Sequence, residues 1–395
     1  MNILRIVYDW PDENVITEGL APAPYELSLS QTRLNNTVYV LCGNLNGKNL
    51  KKLNFSYSLN NNKVFVYNLP RALKYFGPFL TTSVFVLPFY FYLKITKRID
   101  IVHNHGHLGV WFLLYKYLFK FIDKTPVIGH FHNTAKGREQ AILLNGGCIN
   151  FFSKCFEYPI HKFSDYLMVH VCNHIVMVSK GNIEELVNLY KADPNKISLL
   201  ESGVDTKRFI KKGAKEDFGF NENDIILGNG GRLSKRKNID ILVKSLCYLP
   251  DQYKLVLWGP WDTSFKNKVQ KIIDENGLKD RVKYLGVISY FRVDSFYRSC
   301  DLFLLPSSYE GLPKVVIEAL NSGCKVIASG FETDKDIPNL YFLNKIKPSS
   351  IANNIKIVYS KPSKYEKTRS IIEKYYSWDS KARLLAGIYK NYVSK

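Results

Sequence analysis

A regular alternation of short apolar runs with longer helix-like stretches constrains the fold of this chain most strongly. The runs are rich in β-branched and aromatic residues and are largely apolar along their length. Runs of this kind, separated by helices, predict parallel strands that are buried on both faces of a sheet. Twelve runs fit, at residues 2–8, 37–43, 63–69, 100–105, 126–132, 174–180, 196–203, 224–231, 254–260, 282–288, 301–308 and 325–330.

Twelve strands are too many for one sheet, so the sequence predicts two doubly wound α/β domains. The second series of strands is expected to begin with the run at 196–203. The length of 395 residues accommodates two to three domains of ordinary size. The pattern breaks into charged, glycine-containing sequence at 203–220, where we expect the linker. Residues 364–393 are typical of helices that close the chain.

The positive charge is unevenly distributed. The net charge is +20, and residues 51–150 hold 13 Lys and Arg against 3 Asp and Glu. The same region contains an uncharged stretch at 75–93, whose glycine and prolines make it a poor membrane-spanning helix. Two interpretations stay open for this region: a hydrophobic helix packed on a sheet, or an apolar and cationic surface that rests on anionic lipid.

The cysteines and the first residues bear on the compartment. The seven cysteines form no C-x-x-C pair, and most lie in apolar contexts, which favours reduced, buried thiols. The N-terminal "MNILRIVYDWPDE" meets acidic residues after eight positions, so no signal peptide is predicted there. We therefore expect a cytoplasmic protein.

The stretch "YEGLPKVVIE" at 309–318 predicts a turn followed by a helix. Proline suits the first turn of a helix, so the helix should run from about Pro313 to Asn321, with Gly323 as its C-terminal stop.

Two carboxylates flank this turn. Glu310 is expected at the carboxyl end of a parallel strand, and Glu318 on the helix, directed towards the same crevice. Free N–H groups around Gly311, Lys314 and Val315 would form an anion site at the helix N-terminus. A ligand with both hydroxyl and phosphate groups, such as a sugar phosphate, would use all of these groups. The alternative is one acid that offsets the helix dipole and one solvated acid.

A second strand, glycine turn and helix are predicted at "GNGGRLSKRKNIDILVKSL", residues 228–246. Arg232 and Lys237 lie five positions apart across the turn, where both can reach a diphosphate. The glycines do not form G-x-G-x-x-G, so a dinucleotide fingerprint is weak. An exposed basic turn is the alternative.

These motifs resemble those of retaining glycosyltransferases of the GT-B fold, family 4. "GRLSKRKN" is similar to the family's G-R-L-x-x-x-K-(G/N) turn, and "EGLPKVVIE" to its E-x7-E motif. The ordered similarity covers roughly residues 100–390. It implies two Rossmann-like domains that face a central cleft, with a C-terminal helix crossing back to the first. The expected domains are 1–205 (acceptor-binding), 206–365 (nucleotide-sugar-binding) and 366–395 (the helix that packs back).

The resemblance also implies roles. Arg232 and Lys237 would hold the donor's pyrophosphate, Glu318 the ribose hydroxyls, and Glu310 the transferred sugar. The implied donor-binding residues are Gly19, Arg232, Lys237, Glu310, Gly311, Leu312, Lys314, Val315 and Glu318. No metal and no cofactor are expected, because fixed cations and helix amides stabilise the leaving diphosphate. The leaving phosphate would help to deprotonate the acceptor, with retention of anomeric configuration.

In the N-terminal domain, "DIVHNHGH" and "GHFHN" resemble the family's histidine-bearing strand ends. By this resemblance His132 is an active-site residue, and His103, His105 and Asn133 lie on the acceptor side. The catalytic set implied is His132, Glu310, Arg232 and Lys237. The glycine-rich loop of the family is replaced by residues 12–28, in which Gly19 is the one glycine. The alternative for this region is a metal site formed by His103, His105, His107, His130 and His132.

The sequence therefore favours transfer of a sugar from a nucleoside diphosphate sugar to an acceptor hydroxyl. We expect a glycan or lipid-linked acceptor, peripheral contact with the cytoplasmic membrane face through residues 70–121, and no nucleic acid partner. Two alternatives are kept: an epimerase or phosphorylase on the same fold, and a non-enzymatic basic protein that binds membrane or nucleic acid.

Overall fold

A computed structural model describes residues 1–11, 22–44, 55–70, 78–144, 149, 151 and 153–393. The chain forms two compact units: Met1–Glu201 with Lys381–Lys395, and Ser202–Ser380. Residues 366–380, which the sequence grouped with the terminal helix, lie in the second unit, because Ile372 and Tyr376 are buried in its core.

The first unit is built on an eight-stranded sheet in the order β3-β4-β2-β1-β5-β6-β7-β8. All neighbouring strands pair in parallel except β3 with β4, at the edge. The strands are β1 (Asn2–Val7), β2 (Thr37–Cys42), β3 (Ser56–Leu59), β4 (Val64–Asn68), β5 (Ile101–His105), β6 (Val127–Phe131), β7 (His174–Met177) and β8 (Ile197–Leu199).

Helices cover this sheet. Helices α3, α4 and α6 pack side by side, α3 on α4 and α4 on α6. The helices are α1 (Ala23–Thr32), α2 (Pro78–Ser83), α3 (Val86–Lys97), α4 (Val110–Phe119), α5 (Ala135–Leu144), α6 (Tyr158–Val171) and α7 (Lys180–Tyr190), and the last helix, α14 (Trp378–Val393), ends in this unit.

The second unit has a six-stranded parallel sheet in the order β11-β10-β9-β12-β13-β14. Alternate residues of its strands enter two separate apolar clusters, so both faces are buried: Leu302 and Leu304 lie in one cluster, and Phe303 and Leu305 in the other. The strands are β9 (Ile225–Gly230), β10 (Tyr253–Trp258), β11 (Val282–Tyr284), β12 (Leu302–Pro306), β13 (Lys325–Ser329) and β14 (Leu340–Phe342). The helices are α8 (Ile239–Ser245), α9 (Thr263–Glu275), α10 (Val293–Arg298), α11 (Lys314–Asn321), α12 (Pro348–Ser360) and α13 (Tyr365–Tyr375).

The prediction of two doubly wound α/β units is confirmed, and each of the twelve predicted strands is present. The expectation that the run at 196–203 opens the second series was wrong, because β8 pairs with β7 in the first sheet. Two strands were missed, β3 and β14. Among the described residues, Cys42, Cys172, Cys300 and Cys324 are buried as expected, whereas Cys155 and Cys247 are exposed. Cys148 lies outside the described residues.

One stretch within the described residues, Phe79–Lys97, is long and apolar enough to cross a membrane by length and composition alone. It is divided into α2 and α3 by a turn at 84–85. One side of α3 packs into the core through Val86, Tyr90 and Leu93. The other side is exposed at Tyr92 and Ile95.

Candidate functional site

In the second unit, the central strands β9 and β12 lead at their carboxyl ends into two loops, at 231–238 and 307–313. Asn238, at positive φ, donates from Nδ2 to the Ser308 hydroxyl at 3.0 Å. The Ser308 N–H donates to the Arg236 carbonyl at 2.9 Å. These bonds hold the two loops together at the sheet edge where open α/β folds bind ligands.

Lys237 is a buried cation at this edge. Its Nζ donates to the Gly230 carbonyl at 3.0 Å. A Cβ on Gly231, whose φ is +90°, would lie 2.9 Å from this Nζ and 3.8 Å from Val315, so the ammonium and the first turn of α11 both lie next to Gly231. Burial lowers the pKa of Lys237 to about 8, and neighbouring Arg236 and Arg232 add to the lowering while Glu310 opposes it.

The two cations predicted for a diphosphate differ in their surroundings. The side chain of Arg232 is 60% exposed, and its Nη1 lies 3.6 Å from Asp262. Lys237 is buried and bonded to the backbone. One cation is therefore fixed before a ligand arrives, and the other is able to turn towards it.

Glu310, in the loop at 307–313, connects the two loops through its side chain. Its Oε1 accepts a hydrogen bond from Ser307 at 2.9 Å, and its Oε2 forms a 2.7 Å ion pair with Arg236. The Glu310 N–H donates to the Gly330 carbonyl at 2.6 Å. Arg236 was missed in the sequence, although it stands in the same "SKRKN" turn as Lys237.

Glu318 lies one turn into α11 and is buried. Its Oε2 accepts a hydrogen bond from the Tyr297 hydroxyl at 3.0 Å, and its Oε1 pairs with Lys314 at 3.0 Å. A carboxylate oxygen has two lone pairs, and each oxygen of Glu318 uses one of them in these contacts. Each oxygen can therefore still accept a hydrogen bond from a ligand hydroxyl. Tyr297, on α10, also belongs to this site and was not predicted from the sequence.

The predicted helix after Pro313 is confirmed as α11, with Gly323 at positive φ (+101°) two residues beyond its end. Pro313 forms no side-chain cap, so the first N–H groups of the helix, from Lys314 and Val315, are left for a ligand. Gly311 is exposed and Leu312 half-buried in the turn before the helix. These groups, the cations and the carboxylates fit a ligand with phosphate and hydroxyl groups.

In the first unit, four histidines stack in a row at the carboxyl ends of β5 and β6. The ring centroids are 4.4 Å apart for His103 and His105, 4.5 Å for His105 and His130, and 4.8 Å for His130 and His132. Strand register produces the row, since His105 is paired with His130 and alternate residues share a face.

Buried polar side chains fix the inner end of this row. His103 Nδ1 lies 2.5 Å from the Tyr389 hydroxyl, which also accepts from Gln31 at 3.2 Å. Arg5, fully buried, donates to Gln31 at 2.5 Å. Burial lowers the pKa of His103, with the Arg5 charge adding to the effect, so the imidazole stays neutral.

The outer end of the row is the predicted active-site histidine. His132 is partly exposed, and burial lowers its pKa to about 4, so it is neutral at pH 7. Asn133, next along the chain, is exposed. The structure thus brings His103, His105 and His132 into one row. Gly19 lies outside the described residues.

A metal site is the alternative role for these histidines. The ligand atoms of His103, His105 and His130 lie within 4.8 Å of one another. The three rings have planes within 28° of each other, and Nε2 of His103 lies 3.2 Å from Nδ1 of His130, within hydrogen-bond distance. Buried Arg5 opposes a cation. That no metal binds here stays a prediction.

A hydrogen-bonded group that the sequence did not reveal adjoins this edge. His107 Nε2 pairs with buried Asp165 at 2.7 Å, and its Nδ1 lies 3.1 Å from the Tyr8 hydroxyl. Asp165 also accepts from the Ala135 N–H at 2.7 Å and the Tyr190 hydroxyl at 2.8 Å. Asp165 therefore ties α6 to the loops after β5 and β6 and to α7, and His107 links the group to Tyr8 after β1.

The fold and the ordered motifs define a GT-B glycosyltransferase scaffold. Two family models match the chain: "Glycosyltransferase Family 4" over residues 19–208 and "Glycosyl transferases group 1" over residues 211–376. Together they cover most of the sequence. The chain belongs to the group 1, family 4 glycosyltransferases.

Curated relatives agree over part of their length. D-inositol 3-phosphate glycosyltransferase of Mycobacterium sp. (strain KMS) is 27% identical over 239 residues, 58% of this chain and 51% of the relative. A Campylobacter jejuni N-acetylgalactosaminyltransferase, whose name specifies a diphospho-undecaprenol-linked substrate, is 29% identical over 174 residues, 44% of this chain and 46% of the relative. The chain thus spans about half the length of these curated relatives.

Solved structures share the fold along the whole chain. Sucrose-phosphate synthase of Thermosynechococcus elongatus superposes with a TM-score of 0.75 at 16% identity, covering 100% of this chain and 99% of that one. Anabaena Alr3699/HepE in complex with UDP and glucose gives 0.67 at 15% identity, covering 99% and 100%.

Proposed function

We propose that this protein is an enzyme that transfers a sugar from a nucleoside diphosphate sugar to an acceptor hydroxyl, with retention of anomeric configuration. The observation that carries the proposal is the grouping of Lys237, Arg236 and Glu310 beside the uncapped start of α11. Fixed cations and amide N–H groups stabilise a leaving diphosphate, and carboxylates accept bonds from hydroxyls. The UDP complex of a structural neighbour is consistent with such a donor.

The proposal gives each residue of the site a role. Lys237 and the α11 amides hold phosphate, Arg232 closes over it, and Glu318 accepts from the ribose. Glu310 orients the transferred sugar, and neutral His132 donates to or accepts from the sugar hydroxyls. No resident metal or cofactor is needed in this scheme, because protein cations supply the positive charge.

Retention is proposed from the resemblance to family 4, and the carboxylates do not point to a covalent intermediate. Glu310 is ion-paired with Arg236, and Glu318 with Lys314, which suits binding better than nucleophilic attack. We infer that the leaving phosphate deprotonates the acceptor on the same face of the sugar. Proton NMR of the initial product anomer tests this, and an inverted anomer would refute it.

The acceptor we propose is a lipid-linked or membrane-presented glycan, reached at the cytoplasmic membrane face. The lipid-diphosphate substrate in the name of the Campylobacter relative supports this class. Labelled donor, incubated with the enzyme and either a membrane lipid extract or soluble oligosaccharides, should label the lipid fraction. Label confined to soluble oligosaccharides would contradict the proposal.

Donor binding is tested by thermal shift with UDP, GDP and ADP. One nucleotide should raise the melting temperature of the wild type by several degrees at saturating concentration. Arg232→Ala and Glu318→Gln should each reduce that rise, whereas the exposed controls Lys279→Ala and Glu275→Gln should keep it. If no nucleotide stabilises the wild type, the proposed donor site is wrong.

A further inference from the structure

The layer formed by α3, α4 and α6 has an unusual outer surface. Large apolar side chains that point into solvent continue from α3 across α4 to α6. We call this surface the helical face. Representative members are Tyr92, Ile95, Tyr117, Leu118, Phe163 and Tyr166, each at least two-fifths exposed. Contiguous exposed apolar surface of this kind marks an interaction site.

The most exposed part of the face is the turn after α4. Phe121 is 81% exposed and Ile122 80%, and Ile95 on α3 is also 80% exposed. Lys94, the residue before Ile95, forms an ion pair with Asp123, so the end of α3 lies against this turn. We call Phe121 and Ile122 the apolar tip.

The tip is held by buried polar bonds. Asp123, directly after it, is buried and accepts from the Tyr90 hydroxyl at 2.5 Å and from Lys94 at 2.6 Å. Buried Lys116 donates to the backbone carbonyls of Asp123 at 2.5 Å and Thr125 at 2.8 Å. A turn fixed in this way cannot fold its apolar side chains inward, so their exposure is built into the structure.

The charge around the tip is positive. Exposed Lys120 and Lys124 flank it, and the Lys120 ammonium lies 5.2 Å from the centre of the Phe121 ring. Residues 86–124 contain six Lys and Arg but only two Asp. One of the two, Asp123, is buried and forms an ion pair with Lys94. Apolar side chains ringed by cations complement an anionic bilayer, where the rings enter the acyl region and lysines reach the headgroups.

We propose that the helical face docks onto an anionic membrane with Phe121 and Ile122 inserted as its anchor. This deepens the proposed function, on which it rests only for the class of acceptor. A membrane-bound enzyme meets lipid-linked acceptors by diffusion in two dimensions, so anchoring raises their local concentration. The competing explanation is that the exposed apolar side chains of the helical face bind a second protein.

The test is sedimentation with vesicles of phosphatidylglycerol and phosphatidylcholine at low salt. Wild type should bind, and the double variant F121S/I122S should bind at least about tenfold more weakly, since each side chain loses most of its apolar transfer free energy. K120Q/K124Q should weaken binding to anionic vesicles several-fold and leave the weak binding to pure phosphatidylcholine unchanged. The control Y248S/I357S removes two apolar side chains of the second unit that are 55% and 57% exposed, and it should bind like wild type.

Every other result overturns the proposal. Wild type that ignores anionic vesicles, or F121S/I122S that binds like the control, would show that the tip is no anchor. Self-association of wild type that is lost in F121S/I122S, without vesicle binding, would assign the face to a protein contact instead. Thermal shift with nucleotide, measured on the same variants, should stay at the wild-type value, so failure of the donor site is detected separately.

Insertion depth gives a second readout. F121W keeps an aromatic ring at the tip, and its additional fluorescence should be quenched by lipids brominated on the acyl chain. Emission that is quenched only by a headgroup-attached quencher, or by neither, would contradict insertion.

Discussion

In the first unit the carboxyl edge of the sheet presents a row of neutral, stacked histidines, whereas in the second unit the same edge presents lysine, arginine and ion-paired glutamates. Both edges belong to parallel doubly wound sheets, so backbone architecture does not cause the difference. It comes from which side chains the strands and loops place there. A neutral edge suits hydroxyl groups, and a charged edge suits a diphosphate, so one architecture is able to serve two chemically different ligands.

The largest expected effect is the loss of stability on acidification, which favours protonation of the histidines at the edge of the first sheet. Burial keeps the pKa of His103, His105 and His130 well below 6.5, so the unfolded chain takes up more protons below that pH. Stability is therefore complete above pH 6.5 and falls as pH drops below it. We expect these three histidines to lower the unfolding free energy by about 4 kcal/mol in total between pH 7.5 and 5.5, or about 1.4 kcal/mol for each histidine.

Urea unfolding at the two pH values measures this. His105→Phe keeps a ring in the row and removes one titrating group, so it should reduce the loss. The exposed His170→Gln serves as the matched control and should leave the loss unchanged. Equal unfolding free energies of the wild type at both pH values would contradict the neutral row.

The second prediction removes the fixed cation of the charged edge. Lys237→Met keeps the length of the side chain and deletes the ammonium. The affinity for the nucleotide identified by thermal shift should fall by about tenfold to a hundredfold, as for lost hydrogen bonds to charged groups. Titration calorimetry measures this, with Lys244→Met on the exposed side of α8 as control. If both variants bind equally well, Lys237 does not hold phosphate.

The third prediction sharpens the comparison by pH. In the protein without ligand, Lys237 loses its proton near pH 8, whereas a bound diphosphate favours the charged form of the lysine. Nucleotide affinity should therefore be constant below about pH 8 and fall by up to about tenfold per pH unit above it. Calorimetry between pH 7 and 9.5 checks this, and Lys237→Met should show a much flatter profile. An affinity that rises with pH would refute the assignment.

The smallest expected effect tests the inner end of the histidine row. Tyr389→Phe leaves His103 and Gln31 without their shared hydroxyl partner, so the unfolding free energy should fall by about 1 to 2 kcal/mol. Tyr392→Phe, on the same helix with a longer 3.4 Å contact to His174, is the control and should change stability less. Equal losses would mean that the Tyr389 bonds contribute nothing particular.

The sequence predicted the parallel strands because a long apolar run can be recognised from the local residue pattern alone. It missed β3, in which exposed and half-buried residues alternate. It also missed the three-residue strand β14, although β8 and β11 are equally short and were predicted. It also misplaced β8, because the sheet that a strand joins depends on tertiary pairing. Local composition does not encode that choice.

The site was predictable to the extent that motifs carried it. Glu310 and Lys237 stood in recognisable motifs, whereas Arg236, Tyr297 and Asp165 contribute through contacts between distant segments. Arg236 reaches Glu310 across 74 positions of the chain, and Asp165 meets His107 across 58. Separations of this size leave no local signal in a single sequence.

Helix α14 has a consequence for how the chain matures. Its end supplies Tyr389 to a network with Gln31, 358 positions earlier. During synthesis, residues 202–380 emerge completely before this tyrosine does, so the second unit is able to fold while the first still lacks its covering helix. The N-terminal unit, although translated first, is therefore finished last, and a chain stalled before residue 389 leaves its histidine row without the inner partner.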